Sequence, residues 1–125
     1  MKSKITPVKL SRKEARLLPG LRLWEFPQGR RPPFSVFLVT LAPYQDLSAI
    51  YHAKTHEFFL MLEGVATGRV GGRRVRFRKG DFAVLPPGTL HDLHSGKSAV
   101  KALAVFSPPV DMREPDVVSP GRKGD

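Results

Sequence analysis

Four histidines carry most of the chemistry open to this chain: His52 and His56 in one cluster, His91 and His94 in another. The first cluster runs into an acid, His52-Ala53-Lys54-Thr55-His56-Glu57. The chain has no cysteine, which excludes disulfides, thiolate metal sites, iron–sulfur clusters and a cysteine nucleophile. Any metal must therefore sit on nitrogen and oxygen. Imidazole ligands favour iron, manganese, nickel or zinc over calcium or magnesium. Imidazole ligands must be neutral and a carboxylate ligand ionised, so occupancy is expected to fall as pH drops through about 6.5.

Spacing decides which of these groups can meet, because successive side chains on a strand point to opposite faces. On one unbroken strand His52 and His56 share a face and Glu57 turns away. If residues 53–55 form a turn or bulge, His52 ends one strand and Glu57 begins the next, with Phe59 and Met61 following on the inner face. Parity leaves both arrangements open. His91 and His94 have opposite parity, so a strand can aim only one of them at a pocket.

The elements that must hold these groups read as strands. Runs rich in β-branched and aromatic residues cover 21–26, 34–41, 57–62, 65–70, 73–78, 81–85 and 99–106, bounded by turn residues. Short strands at close spacing predict a sandwich or barrel. Gly71-Gly72 marks a two-residue hairpin turn, where positive φ is required. One short helix of about two turns is expected before the strands: Ser11-Arg12-Lys13-Glu14 has capping-box spacing, and Pro19-Gly20 stops it. Along 34–41, Phe34, Val36, Leu38 and Thr40 alternate with Ser35, Phe37, Val39 and Leu41. Both faces are largely apolar, as in a central strand or one that packs on a second subunit.

A length of 125 residues, 41% hydrophobic and 26% charged, fits one domain with its own core. The net charge of +10 suggests an anionic partner. Its densest cluster, however, alternates Arg74, Arg76 and Arg78 with Val75 and Phe77, the pattern of a strand with one solvated face. No helix-turn-helix or zinc-finger pattern accompanies it, so no nucleic-acid partner is expected. Neither a signal peptide nor the ~20 apolar residues of a membrane span is present, giving an expected cytoplasmic location with no membrane partner. From Ser107-Pro108-Pro109 onward, proline, glycine and charge predict a tail that leaves the sheet.

Two longer patterns set the histidines in context. Glu57 lies five residues after His52 and is followed by Gly64; Gly80-Asp81 precedes Pro86-Pro87-Gly88, and then His91. In order and spacing these resemble the two motifs of the cupin superfamily, over roughly residues 34–109. The resemblance implies an all-β double-stranded β-helix, or jelly-roll barrel: an arm with a short helix over 1–20, the barrel over 21–109 and a tail over 110–125. It also implies a divalent transition metal on His52, Glu57 and His91, with His56 as backup ligand and His94 outside the site. Cupins with four ligands usually carry a histidine where this chain has Ile50, so three ligands are expected here. Tyr51, Phe59, Met61 and Trp24 are expected to line a pocket for a small-molecule ligand or substrate.

The function implied is a metal-dependent enzyme of dioxygenase or isomerase type acting on a small organic molecule. The alternative is a metal-free binding or sensor module for a sugar-like ligand, since the same segments resemble the sensor half of arabinose-responsive regulators. Small cupins are commonly dimers, and a homodimer is expected.

Overall fold

Alternating apolar residues and glycine-marked turns give strands throughout residues 14–18, 20–26, 33–111 and 115–120, the part of the chain described by the computed structural model. In chain order they are β1 (Glu14–Leu18), β2 (Leu21–Glu25), β3 (Ser35–Leu41), β4 (Asp46–His52), β5 (His56–Glu63) and β6 (Ala66–Val70). The rest are β7 (Arg73–Phe77), β8 (Phe82–Leu85), β9 (His91–Ser95), β10 (Val100–Ser107) and β11 (Val117–Val118). Two sheets result, β1-β2-β3-β10-β5-β8 and β11-β4-β9-β6-β7. Every pairing is antiparallel, as in a jelly roll.

The interior follows from the period of two. On β5, Glu57, Phe59 and Met61 point inward and are buried. Opposite the last two on β10 stand Ala104 and Ala102, so small side chains make room for large ones. Phe59 then meets Phe77 of the other sheet edge-on, ring centres 5.4 Å apart. With Leu41, Val100 and Ala66, the residues Phe59, Met61, Phe77 and Ala102 form one core, each large member contributing about 1.5–3 kcal/mol by leaving water. Along β5 the chain thus runs from the polar Glu57 down into dry packing at Met61.

Two turns position these strands. Gly71 and Gly72 both take positive φ, 57° and 83°, and join Val70 to Arg73 across the tight hairpin. Gly64, at φ 83°, closes β5 against the backbone of Ala99, whose carbonyl oxygen occupies the space a Cβ would need. The arginine alternation resolves as a solvated face: Arg74 and Arg76 are exposed, whereas Phe77 is buried. β3 lies between β2 and β10; Ser35, Phe37 and Leu41 on one face are buried, whereas Val36, Leu38 and Thr40 on the other are half-buried.

Two expectations need correction. In place of the N-terminal helix, Glu14–Leu18 is a strand paired with β2, and residues 11–13 lie outside the described part. A two-turn helix is marginal without tertiary packing, whereas the edge of β2 offers a ready ladder. The tail does not simply leave the sheet: Val117 and Val118 pair with His52 and Tyr51 on β4. Among the described residues no helix is long and apolar enough to cross a membrane.

Candidate metal centre

The two sheets meet at one end of the barrel around three polar side chains. His52 is the last residue of β4 and His91 the first of β9, on neighbouring strands where Ile50 pairs with His91. The β4–β9 register slips between Leu47 and Ile50. That bulge lets Leu47, Ile50 and His52 all line one cavity, although Leu47 has the opposite parity. After His52 the chain turns through residues 53–55, and β5 opens with Glu57 facing in from the other sheet. The Gly88 amide donates to the His52 carbonyl at 2.8 Å, tying the Pro-Pro-Gly loop to the end of β4.

His52 and Glu57 are buried, and His91 is half-buried. Glu57 Oε1 lies 3.5 Å from His52 Nε2 and 3.6 Å from His91 Nε2, and the three ligand atoms are all within 4.8 Å of one another. The imidazoles lie nearly parallel, 18° apart with centres separated by 6.0 Å. Donors held ~2.0–2.2 Å from a tetrahedral ion stand roughly 3.3–3.6 Å apart, so the spacing to Glu57 fits a transition metal.

The outer nitrogens decide what the inner ones offer. His91 Nδ1 is 2.9 Å from the Thr89 carbonyl oxygen; a carbonyl only accepts, so Nδ1 carries the proton and a neutral His91 presents the Nε2 lone pair to the centre. His52 Nδ1 faces Asp116 Oδ1 at 3.3 Å, with the same consequence. Asp116 is held in turn by the Lys54 amide and the Thr55 hydroxyl, each donating to Oδ2 at 2.8 Å. Burial tends to raise the Asp116 pKa, but these donors and His52 outweigh it and keep the carboxyl below its ordinary value. Burial tends to lower the His52 pKa, yet Glu57 and then Asp116 more than compensate and raise it. Glu57 and Asp116 thus favour the protonated imidazole of His52 in the absence of an ion, and a metal would take the place of that proton.

Asp116 was missed in the sequence because it sits in a proline- and charge-rich segment. The usable signal was Val117-Val118, a β-branched pair able to add a short edge strand. Other residues singled out by sequence fall as follows. His56 is exposed, turned away from Glu57. His94 points outward, with Nδ1 2.7 Å from Asp46 and Nε2 3.2 Å from Asp92. Phe59 lines the cavity, whereas Met61 is packed in the core beneath it. Tyr51 and Trp24 do not line it, each being one position out of phase with lining neighbours, His52 and Leu23. Phe106, unmarked beforehand, packs against His52 with ring centres 5.1 Å apart.

A sequence model of the cupin domain matches residues 37–106. No curated protein matches the chain in sequence. The fold is similar to that of KdgF from Halomonas sp., with a TM-score of 0.74 and 17% identity over 87% of this chain and 100% of that one. It is also similar to a variant of Streptomyces PAC13 with uridine, with a TM-score of 0.71, 14% identity and 90% of each chain covered. A sugar phosphate isomerase from Silicibacter pomeroyi gives a TM-score of 0.63 and 24% identity over 71% of this chain and 60% of that one. At these identities the likeness is one of fold.

Proposed function

Because the chain belongs to the cupin family, we propose that it is a metal-dependent enzyme, of dioxygenase or isomerase type, acting on a small organic molecule. The observation that supports this most is the convergence of three ligand atoms, one each from His52, Glu57 and His91, within 4.8 Å. The donor set fits a divalent ion of iron, manganese, nickel or zinc. When bound, such an ion polarises a substrate oxygen or activates dioxygen.

The chain's own residues prepare the reaction. Thr89 and Asp116 keep the Nδ1 protons of His91 and His52 turned outward, orienting both imidazoles. Glu57 brings the one carboxylate of the ligand set and leaves positions open towards the cavity. Phe59 and Phe106 line that cavity, excluding water and so strengthening charge interactions at the centre. Elemental analysis after loading with each of the four metals tests the proposal. About one equivalent per chain is expected; less than about a tenth with every metal defeats it.

We further propose a homodimer formed through the β8 edge of the six-stranded sheet. There Phe82 and Val84 are 63% and 59% exposed, and Phe82 packs on Phe58 with ring centres 5.6 Å apart.

A further inference from the structure

Apart from its three candidate ligands, the cavity offers a bound molecule almost nothing to hydrogen-bond. It has a volume of about 210 Å³ and is partly open to solvent, and its walls include Leu23, Val39, Phe59, Phe77, Leu93 and Ala104. Besides His52, Glu57 and His91, the described lining residues with polar side chains are Ser48 and Asp92. Ser48 is exposed. Asp92 Oδ1 accepts the Arg69 amide at 2.7 Å and lies 3.2 Å from His94 Nε2. Only at the His52–Glu57–His91 end do several polar side chains converge on the cavity.

We infer that the ligand is an apolar molecule about the size of one six-membered ring, carrying a single anionic oxygen group that sits at the His52–Glu57–His91 end. Size follows from volume, since a cavity of ~150 Å³ accepts benzene and this one has room for a short substituent besides. Polarity follows from the walls. A sugar would bring a hydroxyl on nearly every carbon, most of them losing hydrogen bonds to water against walls that offer few partners; a hydrocarbon ring gains by the same transfer. The head group follows from charge, because a divalent ion only partly neutralised by Glu57 attracts one anionic oxygen. That last step rests on the metal reading, whereas size and apolar character rest on the cavity alone.

A matched set of acids tests the inference. Benzoate, cyclohexanecarboxylate and glucuronate share ring size and carboxylate and differ in hydroxyls. Each is titrated calorimetrically into the full chain, both metal-stripped and zinc-loaded. Binding of the two apolar acids at least tenfold tighter than glucuronate is expected, with nuclear Overhauser contacts from the benzoate ring to methyl groups of Leu23, Val39 and Leu93. Equal or tighter binding of glucuronate would overturn the inference, as would benzoate contacts confined to the exposed Val84. A protein that takes up no zinc yet still prefers benzoate, with the same contacts, upholds the ligand class and defeats only the metal reading.

Discussion

Two neighbouring residues, His56 and Glu57, divide the roles that parity alone left open. The turn at residues 53–55 resets the alternation, so that Glu57 is buried beside His52 while His56 faces solvent. Substituting Glu57→Ala removes one of three ligands and is expected to weaken metal binding by at least about a hundredfold, whereas His56→Ala is expected to leave it within about twofold. Chelator competition measures both. The same residue scale carries a pH effect. The folded pKa of His52 is raised above 6.5, so in metal-stripped protein its contribution to stability is complete below pH 6.5 and is lost as pH rises through the folded value. Asp116, lowered from 3.8, contributes above that pH and loses its contribution as pH falls through its depressed value. Melting curves of stripped wild type and His52→Gln should therefore converge as pH rises above 6.5 through the raised folded value of His52. With metal the trend reverses, because protons compete for Nε2, and wild type alone should gain stability as pH rises.

At the scale of elements, the unexpected part is β11. Two residues of strand return a nominal tail to β4 and set Asp116 against His52. Asp116→Ala is expected to lower metal affinity about 10–100-fold while circular dichroism stays unchanged. Asp116→Asn should recover part of that loss, because its amide oxygen still accepts from Nδ1. The imidazole nitrogen shifts of His52 report its tautomer: mixed in the alanine variant and Nδ1-protonated in wild type. Unchanged affinity in the alanine variant would reduce Asp116 to a surface anchor. Most elements were legible in advance, since β5 and β10 are apolar runs bounded by turn residues, β7 alternates arginine with Val75 and Phe77, and Gly71-Gly72 announced its hairpin. β4 and β9 were harder to read. Asp46–His52 and His91–Ser95 are polar and bulged because they carry the site, so the strands that hold the histidines have the weakest strand pattern. β1 was misread because capping-box spacing is a local signal, while strand pairing with β2 is a tertiary one.

For the molecule as a whole, the barrel divides into a packed end and an open one. Leu41, Met61 and Val100 are almost wholly buried, while the site and its cavity lie where β4, β5 and β9 meet. The motif spacing identified the three side chains that now converge, because it encodes where strands begin and end. The cavity lining was less legible: whether Trp24, Tyr51 or Phe106 faces in depends on bulges and strand ends that periodicity does not reveal. Outside the barrel, the exposed Phe82 and Val84 on the β8 edge predict self-association. Light scattering should give a mass near twice 13.9 kDa, and Phe82→Lys should return it to the single-chain value. A monomeric wild type would remove the dimer proposal without touching the site.

Anomalous diffraction from crystals of metal-loaded protein, recorded across the absorption edges of iron, manganese, nickel and zinc, tests the central claim most directly. The account predicts one strong peak about 2.0–2.2 Å from His52 Nε2, Glu57 Oε1 and His91 Nε2. No peak at that point, or an ion held by His56 or His94 instead, would contradict it.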